Sequence, residues 1–354
     1  PVMTAATILG GHFHIVKGLA SIYDWKCYLS ASIGLLVIGL DVIAFKKKKT
    51  NIKNTTVNTN SEISVVLNLY KRPENLKVQL EALEKQTLKP KEIILYQDGT
   101  SDTIKIPDDI KEKFAIIEIS NENKGVWARF DFAKRKSNCE YVCIFDDDTI
   151  PGSRWLENCM NEMKKQEGLY VTIGILMDDA EKYPYSNYFR TGWDGNNNET
   201  LEVDFGGHSW FFKKDWLTYL FEDSPKEIQQ FKLAGEDMAF SYALNKHNIG
   251  TFVPPHPKNN KELYGSIPKK AWELGTSKNA ISTNVNNLAL MNNAIKILLD
   301  NDWKTLTKRN PEYFKKVCKQ QKSHNNFIQN IFSIKNKGAR KIITILGIKL
   351  SIKV

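Results

Sequence analysis

Between residues 63 and 260, short runs of apolar residues alternate with segments whose apolar positions recur at helical spacing. Ile63-Ser64-Val65-Val66-Leu67-Asn68-Leu69 is nearly continuous and predicts a buried strand. Pro73 then opens a helix to about residue 88, with Leu76, Val78, Leu80, Leu83 and Leu88 supplying most of its apolar positions. Further strands are predicted at 92–96, 115–119, 141–145 and 169–175, and helices at 126–136 and 155–165. Strands alternating with helices imply an α/β fold with a parallel, doubly wound sheet, in which ligands bind beyond the carboxyl ends of the strands. Residues 178–198 read as an aromatic loop carrying Tyr183, Tyr185, Tyr188, Phe189 and Trp193. Phe205-Gly206-Gly207-His208-Ser209-Trp210 follows within 203–212. A helix is then predicted from Leu233-Ala234-Gly235-Glu236-Asp237 to about residue 246, and residues 279–319 look helical.

The flanks have a different pattern. Residues 27–45 carry a single charge, Asp41, and are followed by Lys46-Lys47-Lys48-Lys49. That length reaches across the hydrocarbon core, with the lysines on the cytoplasmic side, so a transmembrane helix is expected at 27–45. Residues 50–62 are polar and rich in Asn and Thr, and read as linker. The expected organisation is an N-terminal segment (1–26), the membrane helix (27–45), a linker (46–62), a catalytic domain (63–275), a helical extension (276–318) and a basic amphipathic tail (319–354). The chain of 354 residues has a net charge of +10. The tail concentrates this charge, with eight Lys/Arg and no Asp or Glu. From Lys335 to Lys353 its basic residues alternate with Ile and Leu without interleaved aromatics, which favours an anionic membrane surface and disfavours nucleic acid. Cys27, Cys139, Cys143, Cys159 and Cys318 form no CxxC pair, so reduced thiols are expected and a zinc site is not.

The chemistry concentrates where the strand 141–145 runs into Asp146-Asp147-Asp148 and the turn Pro151-Gly152. Adjacent carboxylates repel one another and resist burial, so they are either fully solvated or gathered round a cation. Mg²⁺ and Mn²⁺ prefer such oxygen ligands. Asp98, in the turn Gln97-Asp98-Gly99-Thr100-Ser101-Asp102, falls at the same sheet edge. That convergence favours a site over a solvated acidic turn.

The series Val65-Val66-Leu67-Asn68-Leu69-Tyr70-Lys71-Arg72, Asp98-Gly99-Thr100-Ser101-Asp102, Asn123-Lys124-Gly125-Val126-Trp127-Ala128-Arg129, Phe145-Asp146-Asp147-Asp148 and Gly235-Glu236-Asp237 resembles the family 2 glycosyltransferases of the GT-A fold. The motifs keep their order over roughly 63–260. The resemblance implies a Rossmann-like mixed sheet flanked by helices, a nucleotide-diphosphate sugar donor, inverting transfer and a divalent metal, Mn²⁺ or Mg²⁺. It implies Asp148 and His256 as metal ligands, with Asp146 contacting ribose or metal. Asp147 lies among the nucleotide-sugar contacts, its side chain expected to point away. Asp98 would accept from a uracil ring, Tyr70 pack on the base and Arg129 pair with phosphate. Gly206 and Gly207 match the family's glycine loop, with His208, Ser209 and Trp210 near donor sugar or acceptor. Asp237 sits at a helix start, where it either caps the helix or, as the resemblance implies, serves as general base, with Glu236 facing the acceptor or supporting it. The stretch 68–72 departs from the family's usual Thr/Ser-Tyr-Asn ending of the first strand, which loosens the base contacts. The implied acceptor is a glycan or lipid-linked hydroxyl, reached from the cytoplasmic face of a membrane. A sugar nucleotidyltransferase would need a Gly-rich loop after the first strand, and Leu69-Tyr70-Lys71-Arg72-Pro73 has none. A two-metal phosphohydrolase lacks its His-rich ligand set. A non-catalytic, membrane-associated glycan-binding protein on the same fold is the remaining alternative.

Overall fold

The structure is a computed structural model and describes residues 62–99, 102–177, 189–192, 195–269, 273, 285–318, 332–337, 340–345 and 348–353. The expected membrane helix at 27–45, the linker up to residue 61 and most of the aromatic loop lie outside the described residues. Among the described residues no helix is long and apolar enough to cross a membrane.

The main sheet has nine strands: β1 (Ile63–Leu69), β2 (Glu92–Asp98), β3 (Ile116–Ser120), β4 (Tyr141–Phe145), β5 (Gly168–Leu176), β6 (Phe189–Gly192), β7 (Leu201–Val203), β8 (Phe205–Lys213) and β9 (Gly250–Val253). Their order is β3-β2-β1-β4-β8-β5-β9-β7, with β6 on β5. β1 to β4 are mutually parallel where they pair, whereas β8 runs antiparallel to both β4 and β5. The doubly wound mixed sheet is therefore present. The helices are α1 (Pro73–Glu84), α2 (Ala128–Lys136), α3 (Trp155–Met163), α4 (Trp216–Asp223), α5 (Lys226–Gln229), α6 (Glu236–Lys246), α7 (Val285–Asp300) and α8 (Leu306–Arg309).

The strand order sets the position of the site. From β1 the chain steps outward to β2 and β3, then returns past β1 to β4. Right-handed crossovers in opposite directions put α1 and α2 on opposite faces. The switch point between β1 and β4 opens a crevice at their carboxyl ends, where such sheets bind ligands. Apolar runs fill the layer beneath it: Phe130 meets Trp210 edge-on at 5.3 Å, and Phe212 meets Phe240 at 4.9 Å.

Several boundaries differ from the sequence reading. α1 stops at Glu84 rather than near 88, because Gln86 bonds back to Ala82 O (3.2 Å) and across to Gly152 O (2.7 Å). β6 lies inside the stretch expected to be loop. The extension is anchored through buried Asp204, which accepts from Leu306 N at 2.6 Å and Met177 N at 2.8 Å. The tail contains three antiparallel strands, β10 (Phe332–Lys337), β11 (Arg340–Ile345) and β12 (Ile348–Lys353), which form a separate sheet.

Candidate active site

β4 ends at Phe145, and the three aspartates turn away from the sheet edge. The first turns of α1 hold that turn from below. Asn75 Nδ2 donates to Asp147 O (2.8 Å), and Gln79 Nε2 donates to Asp146 O (2.7 Å) and Thr149 O (3.1 Å). Both amides are buried, so each bond is made in a dry environment where leaving a carbonyl unpaired would cost about 1–3 kcal/mol. Arg72 Nη1 lies 2.5 Å from Asp147 Oδ1 and 3.5 Å from Asp148 Oδ2. Burial pushes the Asp147 carboxyl up to about 6, with Arg72 opposing the rise. Burial also acts on Asp148, but His208 and Arg72 outweigh it and hold that carboxyl below its ordinary value. Asp146 is pushed up by burial despite its own ion pair.

Asp146, Asp148 and His208 can each turn one ligand atom to within 4.8 Å of the others, the arrangement a single cation needs. His208 reaches this position through a bulge. β8 pairs with β5 at Trp210↔Val171 and resumes at Gly207↔Ile173, so His208 and Ser209 oppose Thr172 alone. His208 takes φ +69°, a left-handed conformation that costs a non-glycine residue energy. Its Nδ1 lies 3.7 Å from Asp148 Oδ1. That is too long for a direct hydrogen bond and close to the spacing of two ligands across one cation. Two carboxylates and one imidazole suit Mn²⁺, so the residues fit the implied metal.

His256, expected as a metal ligand, is not brought to this group. It is fully buried, with Nδ1 2.8 Å from Pro254 O and Nε2 accepting from Gly265 N at 3.3 Å. Burial lowers its pKa to about 4, so it is neutral and engaged by backbone on both sides.

Arg129, on α2, joins the metal side of the crevice to α6. One guanidinium nitrogen is 2.9 Å from Asp146 Oδ1 and the other 2.9 Å from Glu236 Oε1. Trp210 lies beneath it, ring centre 4.8 Å from the guanidinium carbon, with its indole N–H on Gly206 O at 3.0 Å. Trp210 is thus a platform for Arg129 and buried, whereas it was expected near sugar or acceptor. Gly207 has open space on its Cβ side, with Trp210 Cζ2 the nearest atom at 3.9 Å. Gly235 takes φ +97° just before α6, and this turn brings Glu236 and Asp237 into the helix's first turn. Burial raises both carboxyls, and the neighbouring charge of Asp237 raises Glu236 further against the pull of Arg129. Asp237 Oδ1 also takes the N–H of Met238 at 2.7 Å.

On the far side of β1, Asp98 accepts from Lys124 N (2.8 Å), Gly125 N (2.9 Å) and Tyr96 OH (3.2 Å). Its expected base contact would use what acceptor capacity these three bonds leave. Tyr70 OH accepts from Asn123 Nδ2 at 3.1 Å, and Lys71 lies over the Tyr70 ring at 4.8 Å. Tyr70, Asp98 and Asn123 therefore converge at the carboxyl ends of β1 and β2. Gly125, at φ +84°, lets this loop close on Lys232, whose O would sit 1.9 Å from any Cβ there.

Sequence reasoning missed the roles of Arg72, Asn75 and Gln79. Asn75 and Gln79 lie one turn apart on α1 and Arg72 just before it, polar residues among apolar ones, but their spacing does not say what they pair with. His208 was found, but as a sugar contact.

Residues 64–221 match the family model Glycosyl transferase family 2. A curated cholesterol galactosyltransferase of Borreliella burgdorferi is 26% identical over 236 residues, which covers 63% of this chain and 66% of that protein. The chain thus spans just under two thirds of that relative's length. Among solved structures, a mannosyltransferase from Pyrobaculum calidifontis, in complex with GDP-Man and Mn²⁺, is 16% identical, with 66% and 70% of the two chains covered and a TM-score of 0.39. TarS of S. aureus is 16% identical, with 68% and 42% covered and a TM-score of 0.41. The fold assignment rests on the strand order and the family match rather than on those two superpositions. Residues 64–221 thus match a glycosyl transferase family 2 domain, an enzyme domain, as the motifs led us to expect, and the mixed sheet flanked by helices is the architecture that resemblance implied.

Proposed function

We propose that this chain transfers a sugar, with inversion, from a nucleotide-diphosphate donor to a hydroxyl of a glycan or lipid-linked acceptor. A UDP-sugar is the donor favoured by Asp98. The observation that carries the reading is the Arg129 fork, which joins Asp146 to Glu236 at 2.9 Å each and so sets the metal group beside the acidic pair of α6. Asp146, Asp148 and His208 would hold the divalent cation, which neutralises charge on the leaving diphosphate. Asp237, at the positive end of α6, takes the proton of the acceptor hydroxyl as its oxygen attacks the anomeric carbon from the face opposite the diphosphate. Its raised pKa brings a carboxylate closer to working pH, where a general base is most effective. Glu236 is raised further, and the separation of the two carboxyls lets Asp237 ionise first. Tyr70, Asn123 and Asp98 line the place for the base. The relative named cholesterol galactosyltransferase supports a lipid hydroxyl as acceptor.

We also place the reaction at the cytoplasmic face of a membrane. The sequence supports this through the apolar stretch 27–45 and the acid-free, basic segment 319–354. The test has two parts. A thermal-shift screen of nucleotide sugars with Mn²⁺ identifies the donor, since a bound ligand stabilises the fold by mass action. In Asp237→Asn, transfer should then fall by about 10²–10⁴-fold while donor and Mn²⁺ still bind. An unchanged transfer rate would overturn the assignment of the base.

A further inference from the structure

Three neighbouring aspartates present a charge problem that two metal-binding carboxylates do not solve. Asp146 and Asp148 together balance a divalent cation. Asp147 adds a third negative charge at the point where an anionic diphosphate has to approach. The structure turns that charge aside. Asp147 is not one of the three residues that can share a cation. Its carboxylate meets Arg72 Nη1 at 2.5 Å, its carbonyl is fixed by Asn75 at 2.8 Å, and the carbonyls of Asp146 and Thr149 are fixed by Gln79 at 2.7 and 3.1 Å. Arg72 is 8% exposed and lies in the short turn between the end of β1 and α1, so its guanidinium is delivered by the same switch point that opens the crevice. The second contact of Arg72, 3.5 Å to Asp148 Oδ2, falls on the oxygen opposite the one beside His208.

We infer that Arg72 is a positioning residue that neutralises Asp147 and turns it from the metal group, so that a diphosphate meets a cation balanced by Asp146 and Asp148 alone. This rests on the reading of the site as one for metal and diphosphate. It goes beyond it by giving the middle aspartate a fixed partner and Arg72 a role exerted through that partner.

The inference is tested by calorimetric titration of the full chain with Mn²⁺ alone, and then of the Mn²⁺-loaded protein with pyrophosphate, a probe that needs no knowledge of base or sugar. Arg72→Gln exposes the surplus charge and should weaken pyrophosphate binding about tenfold, while Mn²⁺ alone binds at least as tightly as in wild type. Removing that charge as well, in Arg72→Gln/Asp147→Asn, should restore pyrophosphate affinity to within about threefold of wild type. A double variant as weak as Arg72→Gln would show that Arg72 binds phosphate itself or merely holds the fold, and would overturn the inference. So would an Arg72→Gln protein that binds pyrophosphate normally. If Arg72→Gln does not fold, Asp147→Asn alone decides: it should bind pyrophosphate at least as tightly as wild type, and weaker binding would overturn the inference. A wild-type chain that binds no Mn²⁺ would overturn the functional reading and this inference together, and is recognised before any variant is made.

Discussion

Two histidines of the catalytic domain, His208 and His256, should respond oppositely to removal. His256 is fully buried, packed edge-on to Trp155 at 5.7 Å and near Tyr264 at 5.0 Å. In His256→Ala, Pro254 O keeps Asn197 Nδ2 at 2.9 Å, but Gly265 N loses the acceptor it had at 3.3 Å. A stranded buried N–H and the cavity left by an imidazole together cost about 3–5 kcal/mol. For a domain of this size that lowers Tm by about 10 °C. Mn²⁺ affinity, measured calorimetrically below the new Tm, should stay within about threefold of wild type, because neither ring nitrogen of His256 faces the aspartates. His208→Gly reverses the pattern. Glycine accepts φ +69° without strain, so Tm should hold or rise by a small amount. Losing one of three ligands should weaken Mn²⁺ binding by about 10–100-fold. Loss of Mn²⁺ binding with an intact Tm in His256→Ala, or full Mn²⁺ affinity in His208→Gly, would refute the reasoning.

Two further outcomes follow from groups away from the crevice. Burial pushes the Asp204 carboxyl from 3.8 up to about 6, although two backbone N–H groups donate to it. A raised carboxyl stabilises the fold in full below its unfolded value, and that contribution is lost as pH rises through about 6. Asp204→Asn does not titrate, so its stability relative to wild type should improve by about 2 kcal/mol between about pH 4 and pH 7.5. Urea denaturation of both proteins at the two pH values reads this directly, and a constant gap would refute it. Removing residues 319–354, with their eight Lys/Arg, should lower partition onto phosphatidylserine vesicles at least about tenfold, since each cation near such a surface contributes about 1 kcal/mol at low salt. Unchanged partition would refute the membrane reading of the tail.

In the parallel half of the sheet, β1 and β4 were legible in the sequence because they are buried on both faces and so read as continuous apolar runs. β1 and β4 have the predicted bounds, and β2, β3 and β5 differ by one or two residues at their ends. The tail shows the converse. Ile348-Lys349-Leu350-Ser351-Ile352-Lys353 alternates with a period of two, the pattern of a strand. Its charge suggested a membrane-facing tail of unspecified conformation, and the pattern of strands was passed over. Neither reading excludes the other, since charge chooses a partner and periodicity a backbone. β6 has only four residues, Phe189 to Gly192, and bounds a stretch whose aromatic content suggested loop. It carries too short a pattern to distinguish the two.

Within the site, residue types and their sheet edge were legible, but pairings were not. Asp98, Asp146 and Asp148 could be placed because each follows a strand, and the strand order fixes the rest. Which neighbour each of three adjacent carboxylates faces depends on residues about 70 positions away, Arg72, Asn75 and Gln79, and local pattern carries no such information. The choice between His208 and His256 turned on one extra residue in β8. Without the bulge, strand alternation would not have set His208 opposite a single Thr172, nor have placed it beside Asp148. Arg129 illustrates the same limit. Its expected phosphate contact and its observed bridge between Asp146 and Glu236 make the same demand on the sequence, a forked cation on the helix after β3. Here both arms of that fork are paired with carboxylates, and sequence alone does not tell a carboxylate from a phosphate as the partner of a guanidinium.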